Sequence, residues 1–189
     1  GMSRLQGRLG ETIAIPELTL LDDPHRQGAN RSCFLDAEGF LTKPLPLIEE
    51  GVFRNFLYHV ESANKENKSS TGHAVRGYSG GIGTRSHNLV WPTGELSLEQ
   101  LCAQNSKCLL VTQLEGQAGC NPVSGDISIG VQGFLIENGL RIQPVDSITL
   151  AGNFFDVLLN IQGSGNTYQP ELTHSFIPAL LIEGLTVSG

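Results

Sequence analysis

Residues 126–150 restrict the fold more than any other stretch. Ile127, Ile129, Val131 and Leu135 alternate with Ser128, Gly130 and Gln132, the two-residue period of a half-buried strand. Asn138-Gly139 follows, and both residues accept positive φ, so the pair suits a two-residue hairpin turn. Leu140 to Leu150 then reads as the returning strand, broken near Pro144. The wider chain agrees: 23 glycines and 9 prolines in 189 residues interrupt it too often for a helical bundle.

Other segments carry weaker versions of the same signals. Thr12–Ile15 and Leu18–Leu21 are apolar runs split by Pro16, as in two strands or one kinked strand, and 22–30 reads as a polar turn. Glu38-Gly39 and Glu50-Gly51 suggest further turns, and Ser175–Val187 the last one or two strands, with Pro178 at an edge or bulge. Ser97 and Gln100 have the spacing of a capping box, which starts a helix running to about Ser106. A second helix runs from Asn153, its cap, to Ile161, with Phe154, Val157, Leu158 and Ile161 on one face. Asn55–Asn64 reads as a strand turning into a helix. These elements predict an α+β, strand-rich domain, barrel-like or sandwich, with two or three helices. It spans residues 3–189 as a single domain, Gly1 before Met2 reading as a scar of tag removal.

Charge narrows the function classes. The net charge is −7, and residues 115–189 carry seven acidic side chains against one basic one, Arg141. Such a segment supplies no cluster of Lys and Arg to displace phosphate counterions, which argues against direct nucleic-acid binding. Its scarcity of charge suits a many-stranded core or a surface hidden in an interface. No apolar run reaches membrane-spanning length and no secretory leader opens the chain, so neither membrane nor export is expected, and the expected compartment is cytoplasmic. Cys33, Cys102, Cys108 and Cys120 form no CxxC pair and suit reduced thiols. Cys102 and Cys108, six apart, would lie on different faces of a helix.

Local motifs for catalysis are absent. The five histidines include no HExxH or HExxxH, so only a tertiary convergence such as His73, His87 and His174 would build a zinc site. There is no GxSxG elbow. Asp22-Asp23 and Glu49-Glu50 are adjacent carboxylates, which ordinarily point apart into solvent. The glycine-rich stretch 77–83 lacks both a phosphate-loop ending and a dinucleotide fingerprint, and reads as a loop able to cover a groove or dock a partner. His73, between a small-residue turn and that loop, either fixes the loop by hydrogen bonding or contacts a peptide or partner.

Six segments taken in order carry a family resemblance: Leu18-Thr19-Leu20-Leu21-Asp22-Asp23-Pro24, Phe34-Leu35-Asp36-Ala37-Glu38-Gly39, Ser69 to Arg76, Ser124-Gly125-Asp126-Ile127-Ser128, Gly133 to Gly139, and Thr149-Leu150-Ala151-Gly152-Asn153. Together they resemble the C-terminal domain of the TldD/PmbA family, proteins labelled modulators of DNA gyrase, from about Leu9 to Gly189. The TldD branch carries an HExxxH metal motif upstream of the segment matched by Leu18–Gly39. It also has a late cysteine ligand in a Gly-x-Cys-Gly setting, whereas 164–174 contains no cysteine here. Thr71-Gly72-His73-Ala74 is similar instead to the PmbA branch, also called TldE, whose members lack the metal motif.

The resemblance implies a non-catalytic, substrate-positioning subunit of a metallopeptidase acting on small or unfolded peptides, with no catalytic residue, metal or cofactor in this chain and zinc in a partner. That partner is a TldD-type subunit or a second copy in a dimer, and the substrate is an extended peptide bound along a strand edge. Ser70, Thr71, Gly72, His73 and Arg76, and less strongly Asn153, are the candidate peptide- or partner-binding residues by their loop positions. Two other readings stay open. One is an active zinc peptidase whose metal motif lies upstream of residue 1, and the other a stand-alone binding or regulatory module.

Overall fold

The computed structural model describes residues 4–78, 80–116, 119–168 and 174–189. In chain order the first half contains β1 (Leu20–Asp22), β2 (Leu45–Glu49), β3 (Val52–Phe53), α1 (Val60–Lys65), β4 (Ala74–Arg76), β5 (Ile82–Thr84) and β6 (Leu89–Val90). There follow α2 (Leu98–Ala103), β7 (Lys107–Glu115), β8 (Asp126–Glu137), β9 (Leu140–Asn153) and α3 (Phe154–Leu159). The chain ends with β10 (Ile161–Ser164), β11 (Ser175–Phe176), β12 (Leu180–Ile182) and β13 (Thr186–Ser188). The protein is α+β and strand-rich with three short helices, and its sheets are open rather than closed into a barrel.

Two compact units divide the chain. The first, formed by 16–92 and 169–177, holds a five-stranded sheet in the order β11-β6-β1-β2-β3 and the separate hairpin β4-β5. Its strands are two to five residues long, so few ladder bonds organise it. The β2–β3 turn is made by Glu50 and Gly51, both at positive φ (50° and 77°). This matches the turn at Asn138-Gly139 (50° and 77°), although glutamate is a poor residue for that conformation. The expected strand at Thr12–Ile15 does not form. The Ile15 N–H instead donates to the Leu158 carbonyl at 3.0 Å, in the other unit.

That second unit comprises 1–15, 93–168 and 178–189 and is built on the antiparallel sheet β13-β9-β8-β7. Ile129 and Val131 are buried as the alternation requires, but Ile136 rather than Leu135 takes the next inward place. A register shift lies beside this change, between Leu135 and Ile136, where β9 carries the extra residue, Ile142. β9 runs unbroken through Pro144, which pairs with Phe134. β13 meets β9 only at 149–151, so the missing proline N–H faces an edge without a strand. Ser97 and Gln100 make the capping box of α2, and the Asn153 side chain accepts the Phe155 N–H at 3.1 Å to start α3. Cys102 closes α2 while Cys108 lies in β7, so the two do not share a helix.

Candidate functional site

The site lies in the first unit, beneath the turn made by Ser70-Thr71-Gly72-His73. Gly72 sits at φ +74°, and a Cβ there would stand 2.9 Å from the Leu41 carbonyl oxygen, so the close approach excludes a side chain. The Thr71 hydroxyl accepts the Tyr58 N–H at 2.7 Å, and Ser70 Oγ donates to the Tyr58 carbonyl at 3.3 Å. This anchoring turns His73 inward, to 1% exposure. Its Nε2 lies 2.8 Å from Asp22 Oδ2 and its Nδ1 2.9 Å from Thr71 Oγ1.

Asp22 is the residue that sequence reasoning misplaced. An adjacent carboxylate pair suggested solvent, yet Asp22 has no exposed surface, because β1 pairs with both β2 and β6 and carries it inside. Counting by twos from the equally buried Leu18 lands on Asp22, a signal available in the sequence. Both carboxylate oxygens accept the His87 N–H at 3.0 Å. Burial alone would raise this carboxyl, but the hydrogen bond from the His73 side chain, the nearby His87 imidazole and the His87 N–H outweigh it. They hold Asp22 well below the usual carboxylate range. The His87 ring stands 4.7 Å from that of His73, with Nδ1 3.4 Å from Asp22 Oδ2 and no hydrogen-bond partner among the described residues.

Among the described residues, Asp22, His73 and His87 are the cluster whose donor atoms could share a metal ion. His174 is not part of it. The two nitrogens and one carboxylate oxygen suit a borderline divalent ion such as zinc.

An open cleft of about 330 Å³ adjoins the cluster, with His87, Asp36, Cys33 and the arginines 31, 76 and 85 in its lining. Along it runs β4, whose Ala74 N–H already donates to Asp36 Oδ2 at 3.0 Å and whose Ala74 carbonyl accepts the Ala37 N–H at 3.1 Å. Val75 and Arg76 continue along the cleft wall. Burial and the neighbouring Arg85 guanidinium push Arg31 below its ordinary range, with Asp22 opposing. Burial, Arg31 and Arg85 likewise lower His174. Arg31, Arg76 and Arg85 make no ion pair among the described residues. Burial and the Asp36 and Asp22 carboxylates raise the Cys33 thiol, which disfavours a thiolate nucleophile.

The candidate contacts therefore divide. Gly72 and His73 are buried, Ser70 and Thr71 are half-buried and bonded to the Tyr58 backbone, and Arg76 is exposed in the cleft. Asn153 belongs to the other unit, where its amide donates to the Ser124 carbonyl and to Asp126 Oδ1 at 3.0 Å each. Ile82 to Thr84, in the glycine-rich stretch, pair with β4 as a strand, while Ser79 lies outside the described residues. No helix among the described residues is long and apolar enough to cross a membrane.

Comparison with known proteins places this geometry. Metalloprotease PmbA of Escherichia coli O157:H7 is 38% identical over 158 residues, covering 84% of this chain and 33% of that protein. A PmbA homolog of Haemophilus influenzae is 38% identical over 160 residues. The chain thus spans about a third of the length of these relatives. TldE from Thermococcus kodakarensis superposes with a TM-score of 0.91 at 30% identity, over 100% of this chain and 43% of its own. A candidate modulator of a DNA gyrase from Thermotoga maritima gives 0.89 at 34% identity, over 99% and 42%. Residues 1–189 match the PmbA/TldA metallopeptidase C-terminal domain, and the chain belongs to the PmbA/TldD family.

Proposed function

We propose that this chain is a non-catalytic, substrate-positioning part of a TldD/PmbA-type metallopeptidase, engaging an extended peptide along the cleft beside β4. The observation that carries this reading is the cleft itself. A strand lines it, and three arginines stand over it without acidic partners among the described residues. The backbone groups of Ala74 are already bonded and those of Val75 face Gly83 of β5, so a peptide strand would add beyond them, at Arg76. The arginines would take carboxylates of the peptide, either acidic side chains or its free C-terminus.

Support for the non-catalytic role comes from 164–174, which holds no cysteine where the TldD branch has its late cysteine ligand. Zinc held by a TldD-type partner would supply the activated water. This chain's own groups bind and orient: Asp22 and Thr71 hold His73 and the loop below, and Arg31, Arg76 and Arg85 hold the substrate above. Exposed Phe34, Leu35 and Leu41 offer apolar surface to the partner.

The test is cleavage of an unstructured acidic peptide by the chain alone and with a TldD-type subunit, in zinc-buffered solution. Cleavage is expected only with the partner, and Arg31→Ala with Arg85→Ala should raise KM about tenfold while leaving kcat nearly unchanged, since lost ground-state contacts act on KM. Chelator-sensitive cleavage by the chain alone would replace this reading with an active zinc peptidase. A partner whose rate ignores the chain would leave a stand-alone binding module.

A further inference from the structure

The geometry points to a metal site inside this chain, formed by Asp22 Oδ2, His73 Nε2 and His87 Nδ1 and taking a divalent transition ion of zinc's class. Three observations support it, none dependent on the peptide-binding reading. First, His87 Nδ1 is buried, makes no hydrogen bond among the described residues and stands 3.4 Å from the carboxylate. An orphaned imidazole nitrogen inside a protein is costly unless something takes up its lone pair or proton.

Second, the spacing suits an ion better than a hydrogen bond at that nitrogen. Tetrahedral ligands at ordinary zinc distances stand about 3.3 Å apart. His87 Nδ1 and Asp22 Oδ2 are 3.4 Å apart, long for a hydrogen bond but close to such an edge. His73 Nε2, at 2.8 Å from the same oxygen, need retreat only by about half an ångström to match it.

Third, the outer bonds are those that metal ligands use. His73 Nδ1 meets Thr71 Oγ1 at 2.9 Å, and with a proton held there Nε2 would be left to ligate an ion beside Asp22. Without an ion, Nε2 carries a proton shared with Asp22, which the ion would replace. The carboxylate is itself fixed by the His87 N–H. His87 also lines the open cleft, so a fourth ligand, water or a substrate group, has a route to the ion. Bound there, the ion would tie β1, the turn before β4 and the segment entering β6 together.

The folded 189-residue chain should be stripped with a chelator, dialysed and titrated with zinc alone, then with cobalt. Expected are one zinc per chain, a melting temperature that rises with zinc concentration, and the visible bands of tetrahedral cobalt. His87→Gln should lose both bands and shift, whereas His174→Gln should keep them. If His87→Gln fails to fold, the wild-type cobalt spectrum and zinc stoichiometry still decide. Absence of stoichiometric zinc, or cobalt bands unchanged in folded His87→Gln, overturns the site. Neither readout involves peptide cleavage, so failure here leaves the cleft reading standing.

Discussion

The two units solve burial in different ways. Every residue of polar or charged type that is buried among the described ones, namely Asp22, Asp36, Thr42, His73, His87 and Asn88, belongs to the unit of short strands. The other unit buries Leu101, Ile129, Val131, Ile136, Leu158 and Ile161 and relies on strands of nine to fourteen residues. In that unit the backbone ladder supplies order and apolar side chains fill in. In the first, side chains replace the missing ladder: Asp36 accepts the N–H groups of Glu38, Phe40 and Ala74, and Asn88 joins Asp23, Ser32 and Arg31. A hydrogen-bonded interior tolerates less substitution than an apolar one, because each lost partner strands another group.

The sharpest break of this contrast is Asp22→Ala, expected to destabilise by roughly 3–5 kcal/mol by stranding two imidazoles and an amide. Urea unfolding would measure it, and a loss near that of a surface mutation would end the idea of a polar keystone. The same carboxyl gives a pH signature. Its folded value lies below the ordinary 3.8, so its contribution is complete above about pH 4 and disappears as pH falls through the folded value. The stability gap between wild type and Asp22→Asn should therefore narrow below about pH 4. A constant gap down to the acid limit would contradict the depressed carboxyl.

Gly72→Ala comes next, at roughly 1–3 kcal/mol from left-handed strain and crowding against the Leu41 carbonyl. Its melting curve should fall further than that of Gly77→Ala, which has open space for a methyl. In the ladder unit Ile136→Val should cost only about 0.5–1.5 kcal/mol, and equal losses at Asp22 and Ile136 would erase the distinction. Ser97→Ala, removing the cap of α2, should cost about 1 kcal/mol, read from the same denaturant curves.

Legibility followed the same division. The hairpin of β8 and β9, the capping box of α2 and the Asn153 cap were readable because period, turn chemistry and caps are local properties of neighbouring residues. The inward place of Ile136 and the extra residue in the facing β9 were not, since register depends on both strands. The site was half legible. The turn at 70–73 stood out, but its pairing with Asp22 spans 51 positions and with His87 another 14, and no spacing rule reaches so far. Asp22 was hidden by an acidic neighbour that made the pair look solvated.

Pro144 has a consequence for how copies of this chain behave when crowded. From 140 to 148 the outer side of β9 has no neighbouring strand among the described residues, and such an edge is a template on which another molecule could lay a strand. Leu140 and Ile142, both exposed there, would strengthen that stacking. A proline with no N–H to give, followed by a bulge at Asp146 and Ser147 with Ser147 at φ 56°, denies the template a regular run of donors. The residue that looks like a flaw in the strand thus makes its open edge a poorer template.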